Sequence, residues 1–265
     1  PSIMAFGITE PDAGSNSHRI TTTARRDGSD WLLSGQKVYI SGVDVADNVL
    51  IVCRTEDART GTLKPVLLVV PTDSPGFEKT KIEMDLVAPD NQFQLFMQDV
   101  RLPADAVFPD VRGLKGPLSC LSEARFGIVW GALGAARSAL DTAVKYSKER
   151  VQFGRPIGGF QLTQQKIADM TLELGKGMLL ALHLGRLKDA GVVRPEQISL
   201  GKLNNVREAI GIAHAAREIL AGDGVTTEFS VMRHLANLEA VRTYEGTDDI
   251  HTLVIGRALT GLSAF

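Results

Sequence analysis

The chain has few of the residues that build covalent or metal-held frameworks. Among its 265 residues only Cys53 and Cys120 are cysteines, both in apolar runs and with no paired spacing. That argues against a disulfide framework and a cysteine zinc site, and it fits a reducing compartment. The five histidines, His18, His183, His214, His234 and His251, include no i,i+4 pair, so the two-histidine helical zinc motif is absent and no metal is expected. No unbroken apolar run reaches the roughly 20 residues of a membrane span, and no signal-peptide pattern opens the chain. Neither sign of charge dominates: 29 Lys and Arg stand against 31 Asp and Glu, for a net charge of −2. Such a balance offers no field for nucleic acid or an anionic membrane. An initiator Met is also lacking. The chain opens with Pro1 in a strand-like run, which leads us to expect a fragment of a longer protein.

What is present is an ordinary globular composition, 44% hydrophobic and 23% charged, with length for one large or two ordinary domains. The two halves follow different periods. Up to about residue 109, short runs rich in Val, Ile, Leu and Thr (20–24, 31–33, 38–41, 49–54, 66–70, 93–100) are separated by Asp27-Gly28, Ser34-Gly35, Thr60-Gly61 and Pro75-Gly76. This reads as a β-barrel or sandwich. From Gly116 the pattern is helical, with helices expected near 117–148, 161–189, 195–220, 226–243 and 248–261, which suggests a bundle. The fold class is therefore α+β. A β domain spans 1–112 and a helical bundle 113–265, with a linker over 110–116.

Five segments could carry chemistry. Tyr244-Glu245-Gly246-Thr247 lies between two helical patterns. Gly246 can end one helix and Thr247 can cap the next, which frees Glu245 to enter a cleft as a general base. By itself the tetrapeptide reads more readily as a solvated Glu in a helix-to-helix turn. In Thr9-Glu10-Pro11-Asp12-Ala13-Gly14-Ser15, Pro11 and Gly14 force a loop whose Thr9 and Ser15 hydroxyls and backbone amides can face a phosphate or carbonyl. Its plainer reading is a strand-to-turn junction. In Lys37-Val38-Tyr39-Ile40-Ser41, Tyr39 offers a flat face and Ser41 a hydroxyl, or the segment is simply an amphipathic strand. Arg150-Val151-Gln152-Phe153-Gly154 closes a long helix. Arg150 could bind a diphosphate and Phe153 could stack on a ring, or the pair could serve the helix dipole and the core. Arg125 opens an apolar helix whose Gly127, Gly131 and Gly134 suggest close helix packing.

Together, and in this order, these segments resemble the acyl-CoA dehydrogenase family across essentially the whole chain. The segments from Arg233 to Val241 and from Thr243 to Ala258 resemble glutaryl-CoA dehydrogenases in particular, as does 114–128. The earlier segment Val87-Ala88-Pro89-Asp90-Asn91-Gln92-Phe93 is more similar to general bacterial acyl-CoA dehydrogenases. The resemblance implies FAD as cofactor and α,β-dehydrogenation of an acyl-CoA thioester. Glu245 would remove the α-proton as a hydride leaves the β-carbon for the flavin. The backbone N–H of the base and a ribityl hydroxyl would stabilise the developing enolate. It places Phe6, Ile8, Thr9, Tyr39, Ser41, Arg150, Gln152, Phe153, Gln161, Glu218, Gly222, Thr247 and Asp249 at the cofactor, and Ser15, Ser122, Arg125, Tyr244 and Gly246 at the substrate. Arg150 and Phe153 would reach the FAD of a neighbouring subunit.

The family relationship also implies a homotetramer or homodimer, an electron-transfer flavoprotein as acceptor, and residence in a bacterial cytoplasm or a mitochondrial matrix. Family members carry a further helical domain ahead of the β domain. Some positions depart from the family pattern. Ala221-Gly222-Asp223-Gly224 stands for Gly-Gly-Asn-Gly, Glu218 for a frequent Gln, and Asp249 for another. Ala124 occupies the site where other branches place the base, which favours Glu245. An oxygen-using acyl-CoA oxidase and a non-catalytic flavin-binding or assembly fragment remain the alternatives. The segments around Thr9, Tyr39 and Glu245 supply no obvious Arg or Lys for a distal substrate carboxylate.

Overall fold

The computed structural model describes residues 2–56, 60–84, 91–109, 111 and 113–264. The segment Val87-Ala88-Pro89-Asp90, and Asp110 and Arg112 at the expected linker and boundary, lie outside the described residues. By contacts the chain divides into two units, Pro1–Cys120 and Leu121–Phe265.

In the first unit the strands are β1 (Met4–Gly7), β2 (Thr23–Asp27), β3 (Asp30–Ser41), β4 (Asn48–Glu56), β5 (Leu63–Pro71), β6 (Phe77–Lys81) and β7 (Gln92–Leu102). They form one mixed sheet in the order β1-β4-β2-β3-β7-β6, with β5 on β4. β1 and β2 run parallel to β4, and the remaining pairs are antiparallel. Alternation along β7 puts Phe93, Leu95 and Met97 inside, on a core shared with Leu33, Ile40, Ile51, Leu68 and Val70.

Two expectations change here. The run at 20–24 joins the sheet only from Thr23, because the Glu10 carboxylate takes the amides of Thr21 (2.6 Å) and Thr22 (3.0 Å) before a ladder can. The runs 31–33 and 38–41 are one strand, since Ser34-Gly35 is a bulge rather than a turn. Gly35 sits at φ 144°, where a methyl would lie 2.7 Å from the Thr22 Cα, so only glycine lets β3 pass this point unbroken.

The second unit holds most of α1 (Lys115–Glu149), then a short hairpin of β8 (Val151–Gln152) and β9 (Arg155–Pro156). It continues with α2 (Gln161–Asp189), α3 (Pro195–Leu220), α4 (Val231–Thr243) and α5 (Asp248–Thr260). The expected helix at 226–243 starts later. Asp223–Val225 forms a 3₁₀ turn, and the Thr226 amide and hydroxyl both bond the Asp223 carbonyl. Ala132, Ala136, Ala139 and Ala143 recur at four, three and four along α1 and are all buried, a narrow stripe of small residues against the core.

α3 is the central helix, touching α2, α4 and α5. A methyl on its Gly201 would press into Leu184 of α2 and come 3.0 Å from Val129 of α1, so glycine sets how closely these helices approach. Buried Asn205 ties the same elements, donating to the carbonyls of Val129 (2.9 Å) and Gly177 (3.3 Å). Gly127, Gly131 and Gly134 do not play the packing role expected of them. A methyl at each would meet open space. Among the described residues no helix is long and apolar enough to cross a membrane.

Candidate active site

In the second unit, α4 ends with the Tyr244 amide bonded to Ala240 O (2.9 Å). The chain then turns through Glu245 at φ 56° and Gly246 at φ 99°. Thr247 caps α5, its hydroxyl accepting from the Ile250 amide (3.4 Å). Asp248 fixes the start of α5 through Arg207 (2.9 Å) and Arg242 (2.8 Å). The left-handed backbone at Glu245 is unfavourable for a residue with a side chain and costs on the order of 1–3 kcal/mol, so the surroundings must impose it.

Those surroundings are two cations. Arg125 Nε donates to the Glu245 carbonyl at 2.6 Å. Lys202, on the buried face of α3, donates from Nζ to the carbonyls of Tyr244 and Gly246. All three carbonyls of the turn are thereby held.

The Glu245 side chain is partly buried, and its Oε2 has no hydrogen-bond partner among the described residues. Burial raises its pKa above the usual carboxylate value, against the pull of Arg125 and Lys202, which lower it. Such a carboxylate is partly desolvated, has one oxygen unpartnered among the described residues and has a raised pKa, as suits a proton-abstracting base. His251 of α5, 1% exposed, is pushed down to about 4 by burial, then by Lys202 and Arg125, so it packs beside Gly246 uncharged. Burial and the nearby Arg125 bring Lys202 down to about 8, which leaves it mostly protonated at neutral pH.

The first unit gathers a second group. Thr9 O accepts from the Val38 amide (3.0 Å), which sets the Thr9 loop beside the stretch of β3 that carries Tyr39 and Ser41. Tyr39 is 61% exposed at φ 59°, in the irregularity between Lys37 and Ile40. Ser41 Oγ accepts from Gln92 Nε2 (2.6 Å), which leaves its proton to donate. Phe6 and Ile8 are partly buried against Ile20, Val52 and Leu67, and Ser15 is exposed.

What holds this loop is an ion pair the sequence did not disclose. Lys37 Nζ, wholly buried, donates to Glu10 Oε1 (2.8 Å) and to the Ile8 carbonyl (3.0 Å). Burial would raise the Glu10 pKa, but Lys37, Thr22 and Thr21 bring it down to about 2.

A third group is the hairpin after α1. Phe153 and Gly154 both have positive φ, as a two-residue hairpin turn requires. Phe153 is 95% exposed, and Arg150, Gln152 and Gln161 are exposed with it. Glu218 pairs with Lys166 and, with Gly222, marks the far end of α3, about 24 Å along the helix from Lys202. Asp223, a departure from the family pattern, accepts from Tyr146 Oη (2.7 Å). Arg125, Tyr244, Glu245, Gly246 and Thr247 thus come together, Ser122 lies one turn before Arg125 on α1, and Asp249 is exposed at the start of α5. Lys202, Lys37 and the neutral state of His251 were missed. The available signal was a lone Lys at the centre of an apolar helical face, with Ile198, Val206 and Ala209 around it.

Comparison with known proteins gives these groups a context. Residues 5–100 match the middle domain of acyl-CoA dehydrogenases, and residues 111–260 match their C-terminal domain. Acyl-CoA dehydrogenase FadE12 of Mycobacterium tuberculosis is 43% identical over 242 residues, which is 90% of this chain and 62% of that protein. The chain therefore spans less than two thirds of that relative. Glutaryl-CoA dehydrogenase from Mycobacterium smegmatis is 55% identical with a TM-score of 0.95, covering 100% of this chain and 67% of that one. A structure of a glutaryl-CoA dehydrogenase from the same organism in complex with FADH2 is 53% identical, with a TM-score of 0.94 and the same coverage. From its turn, its loop and these matches, the chain belongs to the acyl-CoA dehydrogenase family.

Proposed function

We propose that this chain supplies the base and much of the flavin site of an FAD-dependent acyl-CoA dehydrogenase acting on glutaryl-CoA. The observation that carries the base is Glu245 itself, partly buried with its Oε2 unpartnered among the described residues, on a strained turn clamped at every carbonyl. Glu245 takes the α-proton of the thioester at a carboxylate oxygen, and its backbone N–H donates to the thioester oxygen as negative charge develops. FAD, when bound, supplies the hydride acceptor.

The residues fit that cofactor. Tyr39 presents an exposed ring beside a free Ser41 proton and the Thr9 loop, and Phe153 and Arg150 stand unburied on a fixed hairpin. In this reading Phe6, Ile8, Thr9, Tyr39 and Ser41 hold the ring system. Arg150, Gln152, Phe153, Gln161, Glu218 and Gly222 hold the nucleotide end across a contact between copies, and Thr247 and Asp249 complete the cofactor set. Ser15, Ser122, Arg125, Tyr244 and Gly246 serve the acyl-CoA. The electron acceptor is an electron-transfer flavoprotein.

The glutaryl assignment rests on the sequence of the base-bearing segment and on the two glutaryl-CoA dehydrogenase matches. A buried distal carboxylate needs a paired cation. Arg125 Nε and Lys202 Nζ, which face Glu245, donate to turn carbonyls and not to such a group.

Glu245→Gln should retain FAD and bind acyl-CoA but lose anaerobic flavin bleaching by substrate. Bleaching at the wild-type rate overturns the base assignment. Flavin reduction by glutaryl-CoA with release of carbon dioxide supports the glutaryl reading, and the absence of glutaryl-CoA turnover leaves a general acyl-CoA dehydrogenase.

A further inference from the structure

Lys202 is a costly residue to keep. Taking an ammonium out of water costs several kcal/mol unless it is well paired, and this side chain is 1% exposed. Its bonds go to no carboxylate. Among the described residues they go to the carbonyls of Tyr244 and Gly246, which flank the base. Arg125 holds the carbonyl between them.

Removing the ammonium would leave two carbonyls unsatisfied and release a backbone that Glu245 does not adopt unaided, since its φ of 56° is in the left-handed region. From this arrangement we infer that Lys202 is a positioning residue. Through Tyr244 O and Gly246 O it holds the Glu245 turn in the conformation that delivers the carboxylate to the substrate α-proton.

The inference rests on Glu245 being the base. It adds an electrostatic consequence, because Lys202 and Arg125 both stabilise the carboxylate form against burial. The charged and titratable groups facing this site are Arg125 from α1, Tyr244 and Glu245 from the turn, and Asp248 and His251 from α5. Asp248 is already bound by Arg207 and Arg242, and His251 is neutral above about pH 4. Lys202 and Arg125 are therefore the cations that tune the base.

The test uses the FAD-loaded protein and a 3-thiaacyl-CoA, whose α-proton can be removed but whose β-sulfur has no hydride to give. Its deprotonation is followed as a long-wavelength charge-transfer absorbance. In Lys202→Met we expect deprotonation to slow about 10²-fold, the scale of a 1 Å misplacement, with FAD content and analogue affinity within about twofold of wild type.

In the substrate-free, FAD-loaded protein, infrared titration of the Glu245 carboxyl, isolated by difference against Glu245→Gln, should move to higher pH as a cation is lost. Lys202→Gln, which keeps a donor but not the charge, should slow deprotonation less than Lys202→Met while moving the titration as far, and serves if the Met variant does not fold. Wild-type deprotonation with an unmoved titration overturns the inference. So does a slower reaction that merely tracks lost FAD with the titration unmoved. If Glu245→Gln itself still deprotonates the analogue, the base assignment falls first and the inference with it.

Discussion

At the level of single residues, the Thr9 loop and the Glu245 turn are each anchored by a buried lysine, and the two lysines differ in what they bind. Lys202 is spent on carbonyls, whereas Lys37 is spent on a carboxylate, Glu10, and on the Ile8 carbonyl. Breaking such a buried pair from one side leaves an uncompensated charge and costs about 3–5 kcal/mol. Lys37→Met should therefore lower the stability of the first unit by that amount near neutral pH.

The pH dependence has a defined sign. In the wild type, Glu10 has a folded pKa of about 2, below its ordinary 4.5. Its contribution is full above the ordinary value and is lost as pH falls toward 2. Without Lys37, only the Thr21 and Thr22 hydrogen bonds oppose burial, so the Glu10 pKa rises and the variant loses less on acidification than the wild type. Denaturant melts at about pH 7 and about pH 3.5 should show the gap narrowing on the acid side. A gap that stays constant would mean that Lys37 acts by packing and not by charge.

Among the elements, the end of α3 carries a strain at a position where the sequence departs from the family pattern. Ala221 takes the position of a family glycine and sits at φ 51°, ψ −121° as the residue that closes α3. A side chain in that region costs on the order of 1 kcal/mol. Ala221→Gly should raise the thermal midpoint of the second unit, by an amount equivalent to about 1 kcal/mol less the added entropy of an unfolded glycine. An unchanged or lower midpoint would show that the Ala221 methyl makes contacts worth as much as the strain. The neighbouring departure, Asp223, is explained by Tyr146, whose hydroxyl it accepts and whose pKa rises through burial and then this bond.

On the scale of the whole molecule, the second unit exposes apolar side chains that a bundle normally covers. Trp130 of α1 and Leu172, Met178, Leu179 and Leu182 of α2 line an open groove, and Phe153 and Val151 stand out on the hairpin. Patches of this kind mark association surfaces. A second copy of the chain covering them would agree with the proposal that Arg150 and Phe153 reach a cofactor shared between copies. Arg150→Ala should then lower FAD retention and oligomer mass together, because one ligand binds both chains. Light scattering alongside flavin absorbance checks this, and a monomer that keeps a full complement of FAD would refute it.

The sequence alone determined a great deal where the signal is local. The period of three to four residues located α2 and α3 over 161–189 and 195–220, as they are found. The period of two located β7 and its buried face, and Gly246 and Thr247 announced the turn and cap around Glu245. Local signals failed where a distant side chain competes with the backbone's own choice. Residues 21 and 22 look like strand, but Glu10 captures their amides. Ser34-Gly35 looks like a turn, but the sheet carries it as a bulge against Thr22. β6, with only Phe77 partly buried, has too little apolar alternation to be read at all.

The candidate base was legible as a motif, but its chemistry was not. How the Glu245 turn is held, and what opposes the effect of burial on its carboxylate, depends on Arg125, 120 positions away, and on Lys202, 43 away. Likewise the role of Lys37 depends on Glu10 across a loop. Hydrophobic periodicity is written in neighbouring residues. Hydrogen bonding and desolvation are set by groups that only the tertiary fold brings within 3 Å, and in this chain they decide what the motif can do.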